Sequence, residues 1–63
     1  LQSGFVLRND HHLQVAVHNR LPVVVWQHGR VINYGGPIER VTENAVWING
    51  EGYLKATCEF KVR

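Results

Sequence analysis

Apolar and polar residues alternate with a period of two along most of this chain, which is the spacing of a β-strand with one buried face. The alternation is longest at the C-terminus, where the chain reads "YLKATCEFKVR". The pattern therefore predicts one long strand over residues 53–63. Its buried face would carry Leu54, Ala56, Cys58, Phe60 and Val62.

The same alternation predicts shorter strands along the rest of the chain. These strands cover residues 4–7, 13–18, 21–27, 30–34, 38–42 and 45–49. Turn-forming residues separate them at Asn9–His12, His28–Gly29, Gly35–Pro37, Glu43–Asn44 and Asn49–Gly52. In the second of these strands, Leu13, Val15 and Val17 would share one face. No segment shows a helical period of useful length, so the pattern predicts no helix.

The C-terminal part of the chain resembles the second half of an SH3-like or Sm-like small barrel. The features that carry the resemblance are Gly36, Ile38, Val41, Val46, Ile48 and the apolar residues from Leu54 to Val62. Five to six short strands joined by tight turns agree with that architecture. We therefore predict an all-β fold, either a single small SH3-like barrel or a strongly bent antiparallel sheet, forming one domain over residues 1–63.

The resemblance concerns the fold alone. Sm-like proteins often begin with a helix, which the pattern of this chain does not show. The chain also has no clear match to the signature with which Sm-type proteins bind RNA. No functional residue is therefore carried over from these proteins.

Composition limits the ways in which so short a chain is stabilised. A domain of about 60 residues buries only about 60% of the surface that its unfolded chain exposes. Cys58 is the only cysteine, so a disulfide within the chain is excluded and a reducing cytoplasm is the expected location. The sequence has neither a recognisable signal peptide nor an apolar stretch of membrane-spanning length, so we expect no membrane contact. Association with a second chain is the expected source of further stability.

The residue types of catalysis do not occur in a productive arrangement. The acidic residues are not paired in sequence, no glycine-rich phosphate loop is present, and Cys58 falls in the predicted core. The four histidines lack the spacing of zinc ligands, although folding could bring His11 or His12 close to His28. We therefore expect a protein that is not an enzyme and holds no metal or cofactor, with a metal- or pH-responsive module that uses the histidines as a third, more distant alternative.

Four apolar residues face away from the main apolar row. They are Val6, Val24, Trp26 and Trp47. Two interpretations compete: a tryptophan folds over an open end of the barrel and plugs it, or the four residues form a contact surface. We favour the second, which predicts a binding module that forms a homo-oligomer and engages an unidentified protein partner.

A nucleic-acid-binding barrel is the alternative function. Net charge is only +2, and the basic residues are spread along the chain. The outer faces of the last strand and the preceding hairpin would nevertheless combine an aromatic ring with cations, as proteins that bind single strands do. The candidate residues are Tyr53, Arg40, Lys55, Lys61 and Arg63. An ordinary solvated strand face would show the same pattern.

Overall fold

Strands make up most of the regular structure in a computed structural model that describes all 63 residues. Helix α1 (Asp10–His18) precedes β1 (Val23–Gln27), β2 (Arg30–Asn33), β3 (Arg40–Val41), β4 (Ala45–Ile48), β5 (Glu51–Leu54) and β6 (Glu59–Val62). The strands form two antiparallel sheets, a first sheet in the order β2-β1-β6 and a second in the order β3-β4-β5. The prediction of a small, mainly β domain is thus confirmed, but the two sheets do not close into a barrel.

Helix α1 corrects the prediction of a strand over residues 13–18. Asn9 starts the helix as its N-cap, because its side-chain oxygen accepts a hydrogen bond of 2.8 Å from the N–H of His12. Leu13 and Ala16 are the buried residues of the helix, and their spacing of three places them on one face. The alternation of apolar residues misled the prediction because a nine-residue helix has too few turns for its own period to dominate.

The predicted long C-terminal strand is two strands, because the chain turns after Leu54. The carbonyl oxygen of Leu54 accepts hydrogen bonds from the N–H of Thr57 at 3.3 Å and of Cys58 at 3.1 Å. Beyond this turn, Phe60 and Val62 are buried as predicted.

Before the turn, the alternation is reversed relative to the prediction. Leu54 is 54% exposed, whereas Tyr53 is 8% exposed and belongs to the core. Ala56 is exposed and Cys58 is half-buried. The prediction that Leu54 and Ala56 face inward is therefore wrong, since the turn shifts the register between the two strands.

One apolar cluster joins the two sheets and the helix. From the first sheet it takes Val23, Val25, Phe60 and Val62, and from the second Val46, Ile48 and Tyr53. Leu13 and Ala16 of α1 cover it on one side, and Leu7 and Ile38 complete it. Each fully buried side chain of this kind contributes roughly 1.5–3 kcal/mol by leaving water. Strand β1 is buried on both faces, because Val24 on its other face is buried too.

Residues 4–7, which we call the N-terminal segment, run beside β6 and form only an isolated bridge between Val6 and Lys61. The N–H of Leu7 donates to the carbonyl oxygen of Phe60 at 2.8 Å, and the N–H of Val62 donates to Phe5 at 2.9 Å. The strand predicted here is thus a short extended segment that covers the outer edge of β6 and buries Leu7.

The connection between the sheets passes very close to β1 at Gly35. Its φ is +68°, and a Cβ placed there would lie 1.4 Å from the carbonyl oxygen of Val23. Next along the chain, the carbonyl oxygen of Gly36 accepts a hydrogen bond of 3.0 Å from the N–H of Val23. Only glycine combines this backbone conformation with this close approach.

Replacing Gly35 by alanine should lower the free energy of unfolding by more than about 3 kcal/mol, because the added methyl overlaps the backbone of β1. Gly29→Ala is the matched control: Gly29 also has a positive φ, of +73°, but open space around it. It should cost only the backbone strain of about 1–2 kcal/mol. Urea unfolding followed by tryptophan fluorescence measures the free energy of unfolding of both variants. Equal decreases in the two variants would show that the close approach of Gly35 to β1 does not matter for stability.

Candidate binding surface

Two aromatic rings on the outer side of the first sheet each lie beside a cation. The ammonium nitrogen of Lys61 is 4.2 Å from the ring centroid of Trp26. The guanidinium carbon of Arg63 is 5.2 Å from the ring centroid of Tyr34. Contacts of this kind are worth about 0.5–1 kcal/mol at exposed positions. They hold the long basic side chains against the sheet instead of leaving them free in water.

A β-bulge in β2 decides which of its residues reach this face. Val25 is paired with Asn33, but Trp26 is paired with Val31, so one extra residue lies between the two pairs. Val31 therefore turns outward beside Trp26. Asn33 turns inward, where its side-chain amide donates a hydrogen bond of 2.7 Å to the hydroxyl of Tyr53.

The aromatic and basic side chains surround a shallow groove of about 180 Å³. Its main walls and floor, which we call the ring–cation face, are formed by Val24, Trp26, Val31, Tyr34, Lys61 and Arg63. Val24 is buried and forms the floor. Tyr34 is 66% exposed, so much of its side chain is available for contact. Typical small-molecule pockets are larger, at roughly 300–1,000 Å³.

The cations of the ring–cation face have no acidic partner. The single ion pair of the protein joins Lys55 to Asp10 at 3.1 Å, and neither residue belongs to this face. Arg63 donates instead to the carbonyl oxygen of Gly35 at 2.9 Å. Glu59, which pairs with Trp26 across β1 and β6, is the nearest acid along the same side of β6. The face therefore keeps a small positive excess.

The second sheet carries one further ring–cation contact. Arg40 and Trp47 are paired across β3 and β4, and the guanidinium carbon lies 4.6 Å from the indole centroid. On the other side, Trp47 is paired with Gly52 of β5, where a Cβ would lie 2.9 Å from the indole. The half-buried indole thus packs over the backbone of Gly52, which the absence of a side chain there permits.

The four residues predicted for self-association do not form one surface. Val24 and Trp26 lie on the first sheet, and Val6 pairs with Lys61 at its edge. Trp47 lies on the second sheet, across the core from them. The structure therefore brings Val24 and Trp26 together, places Val6 in the wall of a separate groove beside α1, and separates Trp47 from all three.

The residues predicted for nucleic-acid binding are divided in the same way. Lys61 and Arg63 belong to the ring–cation face, whereas Arg40 lies on the second sheet with Trp47. Tyr53 is buried, so its placement on an outer face is corrected by the shifted register of β5. Lys55 is engaged in the ion pair with Asp10.

Sequence reasoning missed Tyr34 and Val31 as surface contributors. Tyr34 directly precedes the Gly35–Gly36 break. An aromatic residue in this position, beside two glycines at the end of a strand, could have indicated an exposed ring. Val31 carried no such signal, because strict alternation along β2 does not reveal the bulge that turns it outward.

The histidines do not assemble with other ligand residues. His11, His12 and His18 lie on α1, and His28 lies in the turn between β1 and β2. No group of three or more histidine, cysteine, aspartate or glutamate side chains is arranged to hold a metal ion. A second groove, of about 260 Å³, lies between the start of α1 and β6 and contains the half-buried Cys58.

The single helix of the structure is too short to cross a membrane. In comparisons with known proteins, no family model, curated protein or solved structure matches this chain.

Tyr53→Phe tests the buried placement of this side chain. It should lower the free energy of unfolding by about 1 kcal/mol, because it removes the hydrogen bond between the hydroxyl and Asn33. Tyr34→Phe, the same change at an exposed ring, should stay within about 0.5 kcal/mol. Chemical denaturation of the two variants beside the unaltered protein provides the measurement. If Tyr53→Phe leaves the free energy of unfolding unchanged, the Tyr53 hydroxyl lies in solvent and the buried placement is wrong.

Proposed function

We propose that this protein is a non-enzymatic binding module that self-associates and engages a macromolecular partner through the ring–cation face. The observation that carries the proposal is the pairing of Trp26 with Lys61 and of Tyr34 with Arg63 around one apolar groove. Aromatic residues and arginine are the types that contribute most to binding energy at interfaces.

The shape of the groove supports a macromolecule over a small metabolite. The volume of about 180 Å³ is too small to enclose a typical small-molecule ligand. A polymer does not need enclosure, because it contacts the floor at Val24, the exposed Tyr34 ring and the cations in succession. The unpaired charges of Lys61 and Arg63 favour an acidic partner.

Exposed apolar side chains at the sheet edges support self-association. Strand β2 lies at one edge of the first sheet, and both Val31 and Ile32 on it are exposed. Strand β5 lies at an edge of the second sheet and exposes Leu54. Edge strands with apolar residues are templates for pairing with another chain. Only 12 of the 63 residues are buried, so covering an edge would also stabilise the small core.

Single-stranded nucleic acid is the second candidate partner. The specific observation in its favour is that the half-buried Trp26 ring and the exposed Tyr34 ring each lie beside a cation, and a nucleotide likewise combines a flat base with a phosphate. Lys61 and Arg63 are two positions apart on one side of an extended chain, which separates them by about 6.6 Å along the strand.

Two finer statements accompany the proposal. An Sm-like form of the small-barrel architecture is supported by the helix that precedes the strands, since Sm-like proteins often begin with a helix. A cytoplasmic location is supported by Cys58, a single free thiol, which suits a reducing compartment.

Light scattering behind size exclusion, over a range of concentrations, tests self-association. The mass should rise above the 7.2 kDa of one chain as concentration increases. Ile32→Lys should return it to the single-chain value, because a charge at the β2 edge opposes pairing. Gln14→Lys, an exposed position on α1, is the control that should behave like the unaltered protein. A single-chain mass at every concentration would disprove self-association.

Fluorescence anisotropy with a labelled single strand of about ten nucleotides tests the second candidate. If two phosphates are neutralised, the logarithm of the affinity should fall against the logarithm of salt with a slope of about −1.4. Lys61→Gln should reduce that slope to about −0.7. Arg40→Gln, which removes the cation of the Trp47 contact, should leave the slope unchanged.

Absence of binding at low salt would reject nucleic acid while leaving a protein partner to be tested. Equal effects of Lys61→Gln and Arg40→Gln would instead indicate binding without a defined face.

A further inference from the structure

His12 takes part in a reciprocal cap at the start of α1. Its own N–H donates to the Asn9 side chain at 2.8 Å, and its Nδ1 accepts a hydrogen bond of 3.1 Å from the N–H of Arg8. In an ordinary capping box, a glutamate or glutamine at this third helical position reaches back to a backbone N–H. Here a histidine supplies the acceptor, and it bonds the N–H of Arg8, one residue before the N-cap Asn9, whereas the ordinary box uses the N–H of the N-cap itself.

The same imidazole also contacts the N-terminal segment. The ring of Phe5 meets the ring of His12 edge to face, with centroids 4.9 Å apart. The segment is otherwise held by a few backbone hydrogen bonds to β6, among them that of Leu7 to Phe60 at 2.8 Å. His12 therefore lies where the segment leaves β6 and enters the helix.

Protonation of His12 removes the hydrogen-bond acceptor that its Nδ1 atom offers to the Arg8 N–H. The Nδ1 atom accepts a hydrogen bond only while it carries no proton, and both ring nitrogens of an imidazolium are donors. A protonated His12 would direct a donor at the Arg8 N–H and place a positive charge in the first turn of a helix, where cations are disfavoured.

The charged and titratable neighbours of His12 do not replace the lost acceptor. Arg8 is itself a cation, and His11 presents a second imidazole with its centroid 6.5 Å away. The Asp10 carboxylate is engaged with Lys55, the cation that reaches α1 from the turn between β5 and β6.

We propose that residues 4–8 form a proton-sensitive strap, whose attachment to β6 weakens when His12 is protonated, so that the strap opens more often. Opening would leave the carbonyl oxygens of Phe60 and Val62 without their present partners. It would also remove Gly4 from the wall of the groove beside Trp26 and Lys61. The inference thus adds regulation by pH to the proposed function and rests on that function for its biological meaning. Its test needs no ligand, so the two proposals fail separately.

Amide hydrogen exchange, followed by NMR, measures how often the strap opens. Between about pH 8 and about pH 5, where histidine side chains change charge, the protection factor of the Leu7 amide should fall by about two-fold to ten-fold, the equivalent of one hydrogen bond. At the lower pH, Leu7 should exchange faster than Val25 of β1, because the strap opens, and carries Leu7 out of the core, while the two sheets stay packed against each other. An unchanged Leu7 protection factor, or opening of Leu7 only together with Val25, would overturn the proposal.

Two matched variants show which histidine causes the pH-dependent fall in the Leu7 protection factor. His12→Gln keeps a neutral acceptor at every pH, so the Leu7 protection factor should no longer change between the two conditions. His11→Gln removes the exposed neighbouring histidine and should leave the two-fold to ten-fold fall intact. A fall that persists in His12→Gln and disappears in His11→Gln would assign the proton to the wrong residue and reject the strap mechanism.

Discussion

The burial of β1 on both faces is the constraint on which the rest of the structure depends. Val23 and Val25 face the core shared by the two sheets, so this one strand provides much of what holds them together. Val24 on the opposite face must also be covered, and it becomes the floor of the groove. The connection at Gly35 lies against the same strand, since only glycine allows the chain to pass so close.

A small core leaves several large side chains at the surface, where contacts with neighbouring residues partly cover them. Each tryptophan lies beside a cation on its own sheet, and Trp47 also covers the bare backbone at Gly52. The two sites are not equivalent. The indole of Trp47 is committed to packing over β5, whereas Trp26 shares an open groove with Tyr34, whose ring is mostly exposed. This difference is why the first sheet carries the proposed binding surface.

The N-terminal segment links the helix to that surface. It follows the edge of β6, reaches the groove at Gly4, and ends at the cap that His12 completes. Few hydrogen bonds hold it, so its attachment belongs to the weaker part of the fold. The proposed change at one imidazole would therefore act on the edge of the sheet and on Leu7, while the rest of the core stays packed.

The sequence by itself determined the features that depend on neighbouring residues. The alternation and turn residues correctly predicted β1, β2, the hairpin of β3 and β4, and the inward faces of Phe60 and Val62. The alternation did not reveal the helix or the division of the last strand, and only the tertiary structure decided the burial of Tyr53. The cap at Asn9 and the turn after Leu54 are local hydrogen bonds that the alternation does not show, whereas the bulge brings Asn33 to the Tyr53 hydroxyl from a distant part of the chain. Because the strand period is two, a single such shift reverses the faces on one side of it relative to the other, as Tyr53 and Leu54 are reversed relative to Phe60 and Val62.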